Sequence, residues 1–213
     1  MFTTDRDLLV LEPGLFRDVG WVAQRLTKGT GTISGNTLTV TGADVSLDAA
    51  NITAGHVVTV GGTSYEVIAR QSPTALTISR PRASTTDAIQ PPSPATSVEA
   101  LVMTFAPQIA MVERQVLRMA GIEPEDTTPG IITAGAITNP GALTMLIALG
   151  ALHVLYAAAG ASSGANGWLA DRAAMYRERF SAGRQNARVL IDLDGDGIPD
   201  ATRRLNVVQF IRA

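Results

Sequence analysis

Val57-Val58-Thr59-Val60-Gly61-Gly62-Thr63-Ser64-Tyr65-Glu66-Val67-Ile68-Ala69 holds two alternating runs around a glycine pair. Alternation with a period of two puts apolar side chains on one face of a pleated strand. Paired glycines supply the backbone freedom of a tight turn, so the stretch predicts a β-hairpin. Thr37-Leu38-Thr39-Val40-Thr41 alternates in the same way, and Ala75-Leu76-Thr77-Ile78-Ser79 gives a further strand. Residues 30–96 are therefore expected to be a small antiparallel β module. Pro91-Pro92-Ser93-Pro94 closes it as a stiff connector. Residues 98–104 read as one more strand, because Pro107 suits the first turn of a following helix.

Helical periodicity flanks this module. Residues 12–28 predict a helix: Pro13 sits in its first turn, Leu15, Val19, Val22 and Leu26 form a stripe, and Gly29 and Gly31 end it. A second helix is expected over 105–120, with Ile109, Val112, Val116 and Met119 on one face and Gly121 as its stop. A third opens at Asn139-Pro140 and runs to about residue 159. A fourth covers 167–187, with Trp168, Tyr176 and Phe180 on one side and Arg172, Arg177, Arg179, Arg184 and Arg188 spread around it. Four amphipathic stripes are buried most simply as a bundle. The expected fold class is α+β: a four-helix-bundle-like domain (residues 1–29 and 97–188), an inserted small antiparallel β module (30–96) and a C-terminal β arm or hairpin (189–213).

Composition narrows the function classes. Of the 213 residues, 46% are hydrophobic and 17% charged, against about 25% charged in an ordinary domain. Such a surface suits burial against partners. A net charge of −2 argues against binding nucleic acid by bulk attraction. The absence of cysteine excludes disulfides, thiolate metal sites and cysteine nucleophiles. Residues 141–161 contain no Asp, Glu, Lys or Arg and a single histidine, His153, and reach the length of a bilayer span. Their alanine and glycine content and the lack of basic anchors favour a buried helix, with no membrane partner. His56 precedes a strand of the β module, His153 has no second His or acid at helical ligand spacing, and both read as satisfied structural histidines. No acid, base and nucleophile converge in the pattern, so an enzyme is not expected.

The C-terminal stretch carries the one chemical motif. Asp192, Asp194, Asp196 and Asp200 stand at positions 1, 3, 5 and 9 of a turn with Gly197 at position 6. That spacing supplies the hard oxygens a calcium ion takes. Position 12, where a helix–loop–helix calcium site has a bidentate Glu, is Arg203, and the flanks alternate like strands. Two readings stay open: a calcium loop, or a metal-free turn neutralised by Arg188, Arg203 and Arg204.

The chain resembles the head–tail adaptor (connector) proteins of long-tailed bacteriophages and prophages. The resemblance is carried by Leu9-Val10-Leu11-Glu12-Pro13, Phe105-Ala106-Pro107-Gln108-Ile109-Ala110, Ala151-Leu152-His153, Trp168-Leu169-Ala170, Tyr176-Arg177-Glu178-Arg179-Phe180 and the closing stretch from Ile191 to Arg212. It implies a structural virion protein, assembled in the host cytoplasm. Such adaptors form a dodecameric ring below the portal, extend the DNA channel without sequence-specific contacts, and dock a tail-side stopper or terminator protein. The β module departs from the smallest adaptors. In this reading Arg188, Val189, Ile191, Leu193, Val207, Phe210 and Arg212 form the interface arm. The alternatives are a calcium-dependent binding or surface protein that recognises its target through the β module, and a tail-completion or decoration protein.

Overall fold

The computed structural model describes residues 1–126, 128, 131–162 and 167–205. The chain divides into two compact units, residues 4–106 and residues 1–3 with 107–213. The first is not the small inserted module expected. Its strands β1 (Gln24–Ser34), β2 (Thr37–Thr41), β3 (Val57–Val60), β4 (Thr63–Ser72), β5 (Ala75–Ser79) and β6 (Ala95–Thr104) form a closed antiparallel barrel in the order β1-β2-β5-β4-β3-β6. Closure pairs every edge and removes the liability of an open sheet.

The four-helix bundle fails because the helix predicted over 12–28 does not form. Two short helices, α1 (Asp5–Leu11) and α2 (Leu15–Asp18), are followed by a 3-10 turn, and the chain enters β1 at Gln24. Leu15 and Val19 are buried as the helical stripe predicts, but Gly14 and Gly20 bracket the single turn around them. Gly29 and Gly31, read as a helix stop, lie inside β1. A Cβ on Gly29 would come within 2.8 Å of a Val40 methyl, and one on Gly31 within 2.9 Å of Ala100 Cβ. Glycine is there because neighbouring barrel walls approach too closely for a side chain. Register shifts in β1 and β4 mark bulges, the usual means of bending strands towards closure.

The barrel interior is filled by Ile33, Leu38, Val40, Val58, Val60, Tyr65, Val67, Leu76, Ile78 and Val102, none more than 5% exposed. A buried ion network ties α1 to this wall. Glu66 on β4 takes Arg6 Nε on one carboxylate oxygen (2.8 Å) and Arg82 Nε on the other. Arg6 also donates to the Arg82 carbonyl, and Arg82 Nη1 donates to the carbonyls of Thr85 (3.1 Å) and Asp87 (2.6 Å). Both charges on the arginines thus have a partner, without which burial would be costly.

The second unit holds α3 (Ala106–Met119), α4 (Gly141–Ser162), α5 (Gly167–Asn186) and an antiparallel hairpin of β7 (Arg188–Ile191) and β8 (Ala201–Arg204). Gly121 (φ 69°) ends α3: its N–H donates to Arg118 O (2.9 Å) and that of Ile122 to Leu117 O (3.0 Å). This is the paired closure expected of a glycine C-terminal stop. At Gly150 of α4 an added Cβ would lie 2.7 Å from a Val112 methyl and 3.0 Å from the Phe180 ring, so α3, α4 and α5 meet there. Tyr156 stacks on Tyr176 at 5.8 Å between α4 and α5, and Trp168 meets Tyr156 edge-on at 6.3 Å. The N-terminal residues belong here too: Phe2 N–H donates to Glu113 (2.8 Å), and Thr144 Oγ1 donates to Phe2 O (2.9 Å).

Candidate functional site

The aspartate loop joins β7 to β8. Its base is fixed from within the unit. Asn139, just before α4, accepts from Leu190 N–H (2.8 Å) and donates to Arg188 O (2.9 Å). Asp192 N–H donates to Ala136 O (2.9 Å), and Ile137 bridges to Ile191. The hairpin therefore sits at the N-terminal end of α4.

Within the loop the carboxylates are held by backbone amides. Asp192 accepts from Gly195 N–H (2.7 Å) and Gly197 N–H (2.8 Å). Asp200 accepts from Leu193 N–H (2.7 Å), Asp194 from Asp196 N–H (3.2 Å), and Asp196 from Ile198 N–H (2.7 Å). Gly195 (φ 83°) and Gly197 (φ 86°) take a backbone conformation that other residues rarely adopt. The amides of Gly197 and then Gly195 hold the Asp192 carboxyl below the usual aspartate range. Oxygens of Asp192, Asp194 and Asp200 lie within 4.8 Å of one another. Three hard oxygens so placed suit a divalent cation such as calcium. Asp196 is outside that group; its carboxylate turns to the Ile198 amide.

Arg203 does not neutralise the loop. Its Nη1 donates to Ala120 O (2.6 Å) and Gly121 O (2.9 Å), where α3 ends with carbonyls unsatisfied by the helix. Arg188 and Arg204 face each other across the hairpin, both exposed. Among the described residues no ion pair joins an arginine to Asp192, Asp194, Asp196 or Asp200.

The expected interface residues fall into three groups. Val189 and Ile191 are fully buried, packed inside the unit. Arg188 and Leu193 are exposed, Leu193 by 56%. Val207, Phe210 and Arg212 lie outside the described residues. His153 Nδ1 lies 3.0 Å from Ala173 O and so donates across to α5, while His56 Nδ1 accepts from Thr53 N–H (3.2 Å) in a turn.

The sequence reading missed a surface. α4 is long and apolar enough to cross a membrane by length and composition, yet only 56% of that apolar window is buried. The uncovered part includes Ala142, Met145 and Ala157. Beside it α4 and α5 enclose a groove of about 270 Å³ lined by Ala157, Gly160, Ala161, Ala170, Ala174 and Arg177. The signal was the even apolarity of α4, which leaves no polar face to turn outward. No family model matches the chain, and comparison with curated proteins and with solved structures finds no significant match.

Proposed function

We propose that this chain is a structural virion protein, a head–tail adaptor that forms a ring under the portal, extends the DNA channel and docks a tail-side protein. The observation that carries the reading is α4: apolar on all sides, bare of Asp, Glu, Lys and Arg, and exposed towards both ends at Ala142, Met145, Ala157, Ala158 and Ala161. Association is what removes such exposed apolar groups from water. Exposed Met111, Met145 and Trp168 on the same unit extend the surface available to subunits. The low charge of the chain fits a lumen past which DNA slides without sticking, since each phosphate contact adds salt-dependent affinity. The test is electron microscopy of purified protein mixed with portal-bearing capsids. A ring on the portal vertex is expected; unoccupied portals at saturating protein sink the reading.

The Asp192–Asp194–Asp200 cluster favours a second reading, a calcium-dependent binding protein in which the barrel is the recognition element. With Arg203 committed to α3 and no Glu at position 12, calcium affinity is expected to be about 10⁻⁴–10⁻³ M. Calorimetry separates the members of the loop. Asp194→Asn should abolish the heat, while Asp196→Asn, outside the cluster, should leave most of it. Absence of heat in the wild type at millimolar calcium removes this reading.

A further inference from the structure

The helical unit carries a protruding feature and a matching recess at different places along its length. The aspartate loop exposes two large aliphatic side chains, Leu193 (56%) and Ile198 (65%), flanked by the carboxylates of Asp194, Asp196 and Asp200. The rest of the loop, residues 192–200, is aspartate, glycine and Pro199, so these two branched side chains are its apolar contact groups. The α4–α5 groove is their complement. Small residues such as Ala157, Gly160 and Ala174 make up most of its lining beside His153 and Tyr156, and the exposed Arg177 supplies a positive charge at its rim. Its volume of about 270 Å³ admits branched aliphatic side chains.

We propose that this groove receives the Leu193–Ile198 tip of the aspartate loop from a second copy of the chain. The occupant follows from complementarity of two kinds: apolar tip to apolar recess, and an acidic loop without a single base between residues 192 and 200 to a basic rim. Position gives the third argument. The loop is anchored beside Asn139 at the start of α4, whereas the groove begins at His153, about twelve residues further along α4 and roughly 18 Å along its axis. Tip and recess on one copy do not face each other. Each copy therefore offers a free tip to one neighbour and a free recess to another, a heterologous contact that propagates. This deepens the adaptor reading by naming the subunit contact, and rests on that reading only for the expectation that the contacts close into a ring.

A mixing experiment tests it with the full chain. Ile198→Glu removes the tip but keeps the recess; Ala157→Trp fills the recess but keeps the tip. Both positions are exposed, and circular dichroism checks that each variant is folded. In sedimentation velocity at roughly 10⁻⁴ M, where a micromolar contact is saturated, the wild type should form species larger than a pair. Each variant alone should be monomeric, and their equimolar mixture should form a pair and nothing larger. Raised salt should weaken the wild-type association, because the contact includes opposed charges. A wild type that stays monomeric, variants that associate as the wild type does, or a mixture that stays monomeric overturns the proposal. Phe210→Asp should leave association intact; its loss there would give the recess to the C-terminal tail and overturn the proposal as well. A chain that pairs as described but leaves portals empty sinks the adaptor reading alone. One that docks on portals but associates regardless of both substitutions sinks only this contact.

Discussion

The two units bury their apolar side chains by different means. The barrel turns its apolar side chains inward on a closed sheet and clamps its outer helix with an ion network whose carboxylate is 1% exposed. The helical unit buries Val189, Ile191, Leu152 and Tyr156 completely, yet leaves Met111, Met145, Trp168, Leu193 and Ile198 in water, where the barrel unit exposes Trp21, Val45 and Ile89 around its filled interior. Apolar side chains left outside cost nothing in folding alone, but they are what association uses. Substitutions inside the barrel should therefore break the fold, and those on the helical surface should break contacts between chains.

The largest effect is expected at Glu66. Glu66→Ala leaves Arg6 and Arg82 buried without their counter-charge. Removing one member of such a network costs about 3–5 kcal/mol. Denaturant unfolding followed by Tyr and Trp fluorescence should show a loss of that size. A loss below about 1 kcal/mol would mean that water reaches the arginines and that α1 is held by packing alone.

The same contrast explains what could be read beforehand. Strands β2 to β5 each show alternation within their own residues, so they were legible; so were α3, α4 and α5, with Gly121 closing α3 and Asn139 opening α4. Barrel closure was not. It depends on Lys28 meeting Leu101 and Gly31 meeting Val98 across β1 and β6, pairs some 70 residues apart that no local pattern announces. Gly29 and Gly31 are punctuation in a helical frame and close-approach positions in a strand frame; only the partner strand chooses between them. At the aspartate loop the residue types pointed to a cation, and three of the four aspartates do converge. The commitment of Arg203 to Ala120, 83 residues away, was invisible for the same reason as β1–β6 pairing.

Arg203 gives the intermediate effect and probes the helical unit. Its guanidinium spans two carbonyls at the end of α3. Arg203→Ala should cost about 1–2 kcal/mol, near the lower end for hydrogen bonds to a charged group because the side chain is half-buried. Arg203→Lys should recover only part of this, since a single ammonium lacks the planar fork. The calcium heat, where present, should be the same in Arg203→Ala as in the wild type. A change in it would return Arg203 to the loop.

The smallest effect lies in the pH dependence of the barrel unit. Asp5, 4% exposed at the start of α1, accepts from Phe105 N–H at 2.7 Å. Burial raises its pKa above the ordinary 3.8, and the hydrogen bonds from Thr104 and Phe105 offset only part of that rise. A raised carboxyl binds its proton more tightly folded than unfolded. Its contribution to stability is full below the unfolded pKa of 3.8 and is lost as pH rises through the folded value. Asp5→Asn keeps an oxygen for the Phe105 amide and cannot ionise. Its stability relative to the wild type should therefore improve as pH rises from 3.8 through the folded pKa and level off above it, by a fraction of the Glu66 effect. Urea unfolding of both proteins across that range measures the difference directly. A difference independent of pH would mean that Asp5 titrates alike in the folded and unfolded chains, and that its hydrogen bonds cancel the cost of its burial.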